Sequence, residues 1–360
     1  MKKIIRSLAV ILILIIIYLV TWPVPIDPVA WEAPPDPGYT GPFEVNTRLA
    51  GIEKLPLGDT HGPEDIALDA DGRIYAATHE GFIVRMENGG EPEKWVNTGG
   101  RPLGIDFDGN GNLIVADSYI GLLSIAPNGK ITPLVTSVDG IPLGFTDDVD
   151  VAADGKIYFS DASSKFIAKT YGTMAASLLD LMEHGANGRL IVYDPATGKA
   201  STLISGLSFA NGVAVSPDQS FVLINETGNY RVLRYWIAGP QKGTWKPLIE
   251  SLPAFPDNIS TGFDGRFWVA LVSPRNPLLD SLAGKPFIRK MIQRLPEAIK
   301  PKAVSYGHII AINGNGEVVA DLQDPAAACP INTGVTETQQ YLYIGSLATD
   351  FIARLPKDKE

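Results

Sequence analysis

The sequence predicts an all-β protein, a six-bladed β-propeller preceded by an N-terminal transmembrane helix. The main observation is a hairpin pattern that recurs six times, with two apolar strands around a polar turn rich in Gly, Asp and Asn. The turns lie at Asp71, Asn110, Asp154, Asp218, Asp264 and Gln339. Three of the five separations are close to the roughly 40 to 45 residues of a propeller blade, and the other two indicate insertions.

Residues 1–22 differ in character from the rest of the chain. Lys2, Lys3 and Arg6 precede an apolar run, and the 19 residues from Ile4 to Trp22 approach the roughly 20 needed to span a bilayer. We predict an uncleaved anchor, because residues 20–25 offer no small-x-small cleavage site; a cleaved signal peptide is the alternative. Since the basic end stays in the cytoplasm, the remainder is expected on the extracytoplasmic side, which is the periplasm in a bacterium.

The propeller is expected to occupy residues 43–360. Residues 23–42 are rich in proline and predict an extended linker that holds the domain away from the membrane. The last repeat unit is too short for four strands, so an N-terminal strand should complete it; strand character is predicted at Phe43–Leu49, with Leu55 and Leu57 beyond. Such closure removes the exposed edges of an open sheet.

An oxygen-bearing side chain recurs seven residues before the turns, where each unit's first strand begins. In chain order, the residues at this ring position are Glu64, Leu103, Asp147, Asn211, Asp257 and, as the last unit aligns, Asn332. If the first strand of each unit is innermost, the ring position surrounds the axis at one mouth of the propeller.

Both insertions leave the propeller at this mouth. The first follows Asp161 and contains a predicted helix over Thr173–His184. The second follows Leu271 and contains a short helix near Leu278–Ala283 and a longer one over Phe287–Leu295. We predict that the helices cover a pocket on the active-site face. Alternatively, the second insertion rests on the membrane, or the helices only cap the propeller core.

Composition excludes some partners. The net charge is −10, with 40 acidic against 30 basic residues, which argues against a nucleic-acid partner. The single cysteine, Cys329, excludes an intrachain disulfide. Both observations are compatible with a small-molecule partner.

The ring position offers only oxygen as a ligand, from Glu64, Asp147, Asn211 and Asp257. Hard oxygen ligands with several negative charges suit Ca²⁺, and suit Mg²⁺ or Mn²⁺ less well, whereas zinc usually brings nitrogen or sulfur. The alternative is that these side chains cap the starts of strands. We favour a metal site, because Glu, Asp and Asn share little beyond the oxygen.

Several stretches resemble a known superfamily of calcium-dependent six-bladed propellers. They are HGPEDIA at 61–67, DDVDVAADGKIYFSDASS at 147–164, FANGVAVSPD at 209–218 and PDNI at 256–259. The chain is similar to the senescence-marker-protein/gluconolactonase, paraoxonase and strictosidine-synthase-like superfamily. It most resembles the strictosidine-synthase-like branch that includes the adipocyte plasma-membrane-associated protein.

This resemblance implies roles for five residues. The metal ligands of gluconolactonases fall on Glu64, Asn211 and Asp257, and Asp147 falls where that family has an asparagine near metal and substrate. The pair Asp257 and Asn258 resembles the paired ligands of paraoxonases. Asp257 would then also be the candidate general base, with the cation polarising the carbonyl of the substrate.

The resemblance leaves three functions open. We favour a membrane-anchored, calcium-dependent hydrolase of esters or lactones. An amine–aldehyde condensing enzyme is the first alternative, but the catalytic glutamate of strictosidine synthases falls on Thr333, and Glu337 lies further along the strand. A non-enzymatic, membrane-tethered binding propeller is the second.

Two histidines are further candidates for the mouth. His61 precedes Glu64 by three residues and is predicted as a catalytic acid or base, with an ordinary loop histidine as the alternative. His79 ends a second strand on the same face. A Ser-His-Asp triad is not supported, since the sequence contains no Gly-x-Ser-x-Gly stretch.

Overall fold

The six predicted hairpins form the inner strands of six four-stranded antiparallel sheets, which confirms the six-bladed β-propeller. The structure, a computed structural model, describes residues 1–300 and 302–359. The strands of blade one are Ile66–Leu68, Ile74–Ala77, Phe82–Met86 and Glu93–Asn97. Those of blade two are Pro102–Phe107, Leu113–Asp117, Gly121–Ile125 and Ile131–Val135. Those of blade three are Thr146–Val151, Ile157–Asp161, Gly188–Asp194 and Lys199–Leu207. Those of blade four are Ala210–Val215, Phe221–Glu226, Arg231–Trp236 and Trp245–Ile249. Those of blade five are Ala254–Thr261, Arg266–Pro274, Gly307–Asn313 and Val318–Asp324. Those of blade six are Asn332–Glu337, Tyr341–Ser346, Phe351–Pro356 and Glu53–Pro56. A small hairpin of Ser137–Val138 and Ile141–Pro142 follows blade two.

Blade six is completed by a strand from the beginning of the propeller. Glu53–Pro56 pairs antiparallel with the strand Phe351–Pro356. Closure by an N-terminal strand is therefore confirmed, and this strand includes Leu55, but the strand character predicted at Phe43–Leu49 is wrong. Gly41–Phe43 is a 3-10 helix, and the side chain of Asn46 accepts a hydrogen bond from the backbone of residue 48 in a turn.

The blades are held together by apolar packing and by aspartates that bond to the backbone of the next blade. The first strands of consecutive blades contact one another, and that of blade six contacts that of blade one. Trp268 of blade five, for example, is buried with Val335 and Leu342 of blade six. Each of four aspartates, of which Asp148 is buried and the others partly buried, accepts a hydrogen bond from the backbone of the following blade: Asp65 from Ile105, Asp106 from Val151, Asp148 from Val213 and Asp150 from Val215.

A β-bulge lies at the ring position in blades two to six. Bulges re-aim side chains and are frequent beside functional sites. The residue after the ring position alternates between a polar side chain and glycine around the axis: Asp65, Gly104, Asp148, Gly212, Asn258 and Gly334. A Cβ on Gly104 would lie 2.3 Å from Oδ1 of Asp148, so the glycine leaves room for its polar neighbour.

The strand register moves the ring position of blade six from Asn332 to Thr333. Asn332 is paired just before the bulge, as Thr146 is in blade three, so Thr333 is the equivalent of Asp147. The prediction of Asn332 is wrong because the turn of blade six is shorter. Four residues lie between its last paired residues, against five in blade three.

Helices precede the propeller and fill both insertions. They are α1 Lys2–Thr21, α2 Ala168–Tyr171, α3 Thr173–Glu183, α4 Pro277–Ser281 and α5 Pro286–Gln293, with further 3-10 helices at Thr227–Asn229, Glu297–Ile299 and Lys357–Lys359. The three predicted inserted helices are present within a few residues of the expected bounds. The strand before the second insertion continues to Pro274, three residues beyond its predicted end. In the part of the chain that the structure describes, α1 is the one helix long and apolar enough to span a membrane.

The proline-rich segment packs against the insertions instead of standing free. We call residues 23–40 the strap. Ile26 is fully buried, and the ring of Trp31 stacks on His184 with centroids 4.0 Å apart. The backbone nitrogen of Val29 donates to the carbonyl of Glu183 at 2.9 Å, and Arg275 donates to the carbonyl of residue 34 at 2.6 Å. The strap thereby joins α3 to the second insertion.

Candidate metal centre and pocket

A cavity of about 690 Å³ lies between the ring position and the inserted helices. Its floor contains Glu64, Asp147, Asn211 and Asp257, one from each of blades one, three, four and five. The walls are mainly apolar and include Leu103, Phe145, Phe209, Phe255, Leu179, Met182, Leu279 and Ile292. A cavity of this size, with apolar walls and a few polar groups, suits a small organic ligand.

The structure brings the five predicted metal ligands together. Nδ2 of Asn211 donates to Oδ1 of Asp257 at 2.7 Å. Nδ2 of Asn258 donates to Oε1 of Glu64 at 3.0 Å. Asp147 lies on the same cavity floor, and all five side chains are buried.

Four of these side chains have a buried oxygen without a hydrogen-bond partner. The atoms are Oε2 of Glu64, Oδ2 of Asp147, Oδ1 of Asn211 and Oδ1 of Asn258. Leaving a buried polar atom unpaired costs roughly 1–3 kcal/mol, and more when the group is charged. Several unpaired oxygen acceptors in one place are the donor set that a hard cation prefers.

The amides are an essential part of this donor set. Within residues 1–300 and 302–359, no three His, Cys, Asp or Glu side chains are already gathered at metal-ligand spacing. A cation on the floor would therefore need the amide oxygens of Asn211 and Asn258 in addition to the carboxylates. The residues present fit calcium by type, because calcium accepts six to eight carboxylate, amide and water oxygens.

Burial makes the ring carboxylates hard to ionise. Burial, followed by repulsion from Asp257 and Asp147, raises the pKa of Glu64 well above its ordinary value. Burial and then Asp257 do the same to the pKa of Asp147. Burial raises the pKa of Asp257 to about 7, against the lowering effect of its hydrogen bond from Asn211. A bound cation would favour the ionised forms and lower these pKa values.

One buried arginine lies in the electrostatic surroundings of this cluster. Arg101 is almost completely buried, donates to the carbonyl of Pro102 at 2.9 Å, and has no partner at Nε or Nη2. Its positive charge lowers the pKa of Asp147, opposing the effect of burial. Three ionised carboxylates and this guanidinium leave two negative charges, which one divalent cation would balance.

The histidines lie outside the cavity lining. The ring of His61 is about half exposed, its Nδ1 pairs with Glu80, and its centroid is 4.8 Å from that of His79. Burial lowers the pKa of His79. Among the described residues, the cavity is lined by no histidine, so the catalytic role of His61 stays a prediction and Asp257 is better placed.

The residues of blade six have separate roles. Oδ1 of Asn332 accepts from the backbone of His308 at 2.8 Å, away from the ring. Oγ1 of Thr333 donates to the backbone carbonyl of Glu64 at 2.6 Å and so holds that residue's main chain. Glu337 lies at the other end of the same strand, in a cluster of donors that includes Trp268.

The sequence interpretation missed two residues that act on the ring. It considered Thr333 only as the position of a catalytic glutamate, and it did not consider Arg101. Thr333 could have been found from the alternation described above, because Leu103, Asn211 and Thr333 are each followed by glycine. Arg101 has no such signal, since it precedes the strand and only the fold brings it to the cluster.

Sequence comparisons relate the chain to one family. A family profile described as "Strictosidine synthase" matches residues 147–240, and one described as "Strictosidine synthase-like, N-terminal" matches residues 41–86. The adipocyte plasma membrane-associated protein of Rattus norvegicus is 35% identical over 358 residues, covering 92% of this chain and 93% of the relative. The protein named strictosidine synthase-like 6 of Arabidopsis thaliana is 37% identical over 320 residues, covering 86% and 83%.

Solved structures share the fold at low sequence identity. A gluconolactonase of Xanthomonas campestris has a TM-score of 0.62 at 15% identity, covering 86% of this chain and 91% of its own. A calcium-binding protein, regucalcin, of Agrobacterium tumefaciens has a TM-score of 0.58 at 14% identity, covering 84% and 93%. At these identities the likeness shows the propeller fold alone.

Proposed function

The chain belongs to the strictosidine-synthase-like family that includes the adipocyte plasma membrane-associated protein, and from this premise we propose that it is a membrane-anchored, calcium-dependent hydrolase of esters or lactones. The observation that carries the proposal is a set of four unpaired buried oxygens, three of which belong to residues on the floor of an apolar cavity. The fold it shares with a gluconolactonase and a calcium-binding regucalcin supports the same class of chemistry.

Glu64, Asp147, Asn211, Asp257 and Asn258 would hold the cation. Their oxygens are hard, buried and partly unpaired, which favours Ca²⁺ over a softer metal. When bound, calcium would polarise the substrate carbonyl and balance the negative charge that develops on its oxygen.

Asp257 is the residue we assign to proton transfer. Its carboxylate lies on the cavity floor, and the amide of Asn211 fixes one of its oxygens. It would accept a proton from the attacking water, whose oxygen bonds to the carbonyl carbon. The bond from that carbon to the leaving oxygen then breaks, and the proton passes to the alcohol. The apolar walls position the acyl part and exclude other water.

The propeller is proposed to face the extracytoplasmic side. Lys2, Lys3 and Arg6 precede the apolar part of α1, and basic residues mark the cytoplasmic end of a membrane span. In a bacterium the cavity would then lie in the periplasm. Calcium sites of modules outside the cell have dissociation constants of about 10⁻⁴ to 10⁻³ M.

The decisive experiment measures calcium binding and turnover on the same samples. We would titrate Ca²⁺ by calorimetry into metal-stripped full-length protein in nanodiscs, beside Glu64→Gln and Asp257→Asn. Asp264→Asn is the matched control, because this aspartate lies in the polar turn of the same blade. Aryl esters, lactones and an amine–aldehyde pair would then be assayed with each protein.

We expect both ring variants to lose calcium binding and hydrolysis while the control keeps both. A wild type that binds no divalent cation would overturn the metal site. Binding without turnover of any ester or lactone would reject the hydrolase and favour a binding propeller. Condensation of the amine and aldehyde would favour the first alternative.

A further inference from the structure

Helix α5 exposes Phe287 and Ile288, which form its outer face, although Ile292 of the same helix packs inward. Arg289 is 2% exposed and Arg294, just after the helix, is 8% exposed, whereas Phe287 is 53% exposed. The guanidinium of Arg289 donates to the carbonyls of Met182 and Ala283, both at 3.1 Å. Helices that face water bury their apolar residues and expose their charges, so the outer face of α5 is built for other surroundings.

The end of the membrane helix lies directly against this region. Oη of Tyr18 donates to the carbonyl of Arg294 at 3.1 Å, and Arg294 donates in return to the carbonyl of Leu19 at 2.8 Å. Pro25, four residues after the end of α1, lines the cavity. The point at which the chain leaves the bilayer is therefore fixed beside the cavity mouth.

Further apolar and basic groups continue this surface. Ile299 is 64% exposed and lies between Glu297 and Lys300, which both line the cavity. Met174 and Leu178 of α3 line the cavity and are also exposed. Exposed apolar groups beside lysines suit the boundary between lipid tails and anionic headgroups.

We propose that the outer face of α5 and Ile299 rests in the membrane surface, and that the cavity takes its substrate from the bilayer. The floor is polar, the walls are mainly apolar, and the outer rim combines exposed apolar side chains with lysines. The substrate class that fits is a single-chain amphiphile with its ester or lactone at the polar end, which reaches the ring while the tail remains towards the lipid. This substrate class rests on the proposed hydrolase function, but the membrane contact does not.

The membrane contact is tested without activity. A nitroxide spin label on Ile299→Cys in full-length protein in nanodiscs should be reached by oxygen more than by a water-soluble nickel complex. The control is Val319→Cys, an apolar residue of similar exposure (52%) on an outer strand, which should show the reverse. Equal access of the nickel complex to both labels would overturn the contact. Low access of both reagents to Ile299, together with a doubled particle mass, would overturn it in favour of a second protein copy.

The substrate class is tested with two esters. Phenyl acetate reports hydrolysis from water, and a single-chain long acyl ester carried in vesicles reports hydrolysis from lipid. Ile299→Asp should reduce kcat/KM for the vesicle ester at least tenfold and leave phenyl acetate within about twofold, while Val319→Asp changes neither. Equal loss on both esters, or no loss on either, would overturn the bilayer route. If wild type hydrolyses neither ester, the proposed function fails, and the spin-label result still decides the membrane contact.

Discussion

Carboxylates at the two ends of the propeller axis differ in their hydrogen-bond partners and in the direction in which their pKa values are shifted. At the mouth, Glu64 and Asp147 each retain a buried oxygen with no partner, and burial raises their pKa values. At the far end, Glu337 accepts from the indole of Trp268 at 2.8 Å and from Lys357 at 2.5 Å, and it also pairs with Arg266. These hydrogen bonds outweigh burial and lower the pKa of Glu337 to about 2.

This difference separates a carboxylate whose ionised form stabilises the fold from carboxylates whose ionised forms do not. Glu337 has donors for both oxygens, so its ionised form is favoured in the folded protein. The ring carboxylates have few donors and repel one another, so the fold alone does not favour their charge. Thr333 and Glu337 belong to the same strand, which shows that the contrast arises from position along the axis.

The largest expected effect is the loss of hydrolysis in Asp257→Asn. An amide cannot accept the proton, and loss of a general base typically slows a reaction 10² to 10⁴-fold. We expect kcat for a soluble aryl ester to fall by at least about 10²-fold, with an unchanged circular dichroism spectrum. Activity within tenfold of wild type would remove Asp257 from the proton-transfer role.

The next largest effect is expected for Glu337→Gln. Because the folded pKa is below the ordinary value of 4.5, this carboxylate stabilises the fold above about pH 4.5, and the stabilisation is lost as the pH falls towards 2. We expect the variant to be less stable by about 2 kcal/mol at pH 7. The difference, measured by urea unfolding, should shrink between pH 5 and pH 3, while calcium affinity stays unchanged. A variant as stable as wild type at pH 7 would contradict the contrast between the two ends.

Replacing a ring carboxylate by a neutral amide should have the opposite effect on the free energy of unfolding. The folded pKa of Glu64 is raised, so its carboxylate costs stability as the pH rises above the ordinary value of 4.5. In metal-free protein, Glu64→Gln should therefore raise the free energy of unfolding by about 1 kcal/mol at pH 7. The gain should be absent near pH 4, where Glu64 of the wild type is protonated and therefore neutral, like the glutamine. A destabilised variant would show that the ring already satisfies its charges without a cation.

An effect no larger than this is expected for Thr333→Val. The substitution removes the hydrogen bond to the carbonyl of Glu64 while keeping the shape of the side chain, and such a bond contributes about 1 kcal/mol. We expect a loss of this size in thermal or urea unfolding, with Thr333→Ser as the control that retains the hydroxyl. Equal stability of all three proteins would show that this bond does not hold the ring.

The repeat pattern made most of the ring predictable. Glu64, Asp147, Asn211 and Asp257 occupy one position of a repeating unit, and the propeller brings equivalent positions together. The sixth position was misplaced because the spacing to the turn was taken as constant, whereas Thr333 is reached through a shorter turn.

The surroundings of the cavity were less predictable. The strap looked like a spacer, because proline content does not reveal that Trp31 has a partner in His184. The outward face of α5 was equally hidden, since periodicity separates Phe287 from Arg289 but does not decide which of them faces the protein. Those choices are made by tertiary contacts with parts of the chain more than a hundred residues away.

The strand that closes blade six also bears on how the protein is made. Glu53–Pro56 is translated long before its partner Phe351–Pro356, because nearly 300 residues separate the two strands along the chain. At about 5–20 residues per second, the interval lasts on the order of 15 to 60 seconds. During that time Glu53–Pro56 has no partner strand in the nascent chain. The ring can close only after Phe351–Pro356 has been translated, so a product truncated before this strand would remain open and be exposed to quality-control proteases.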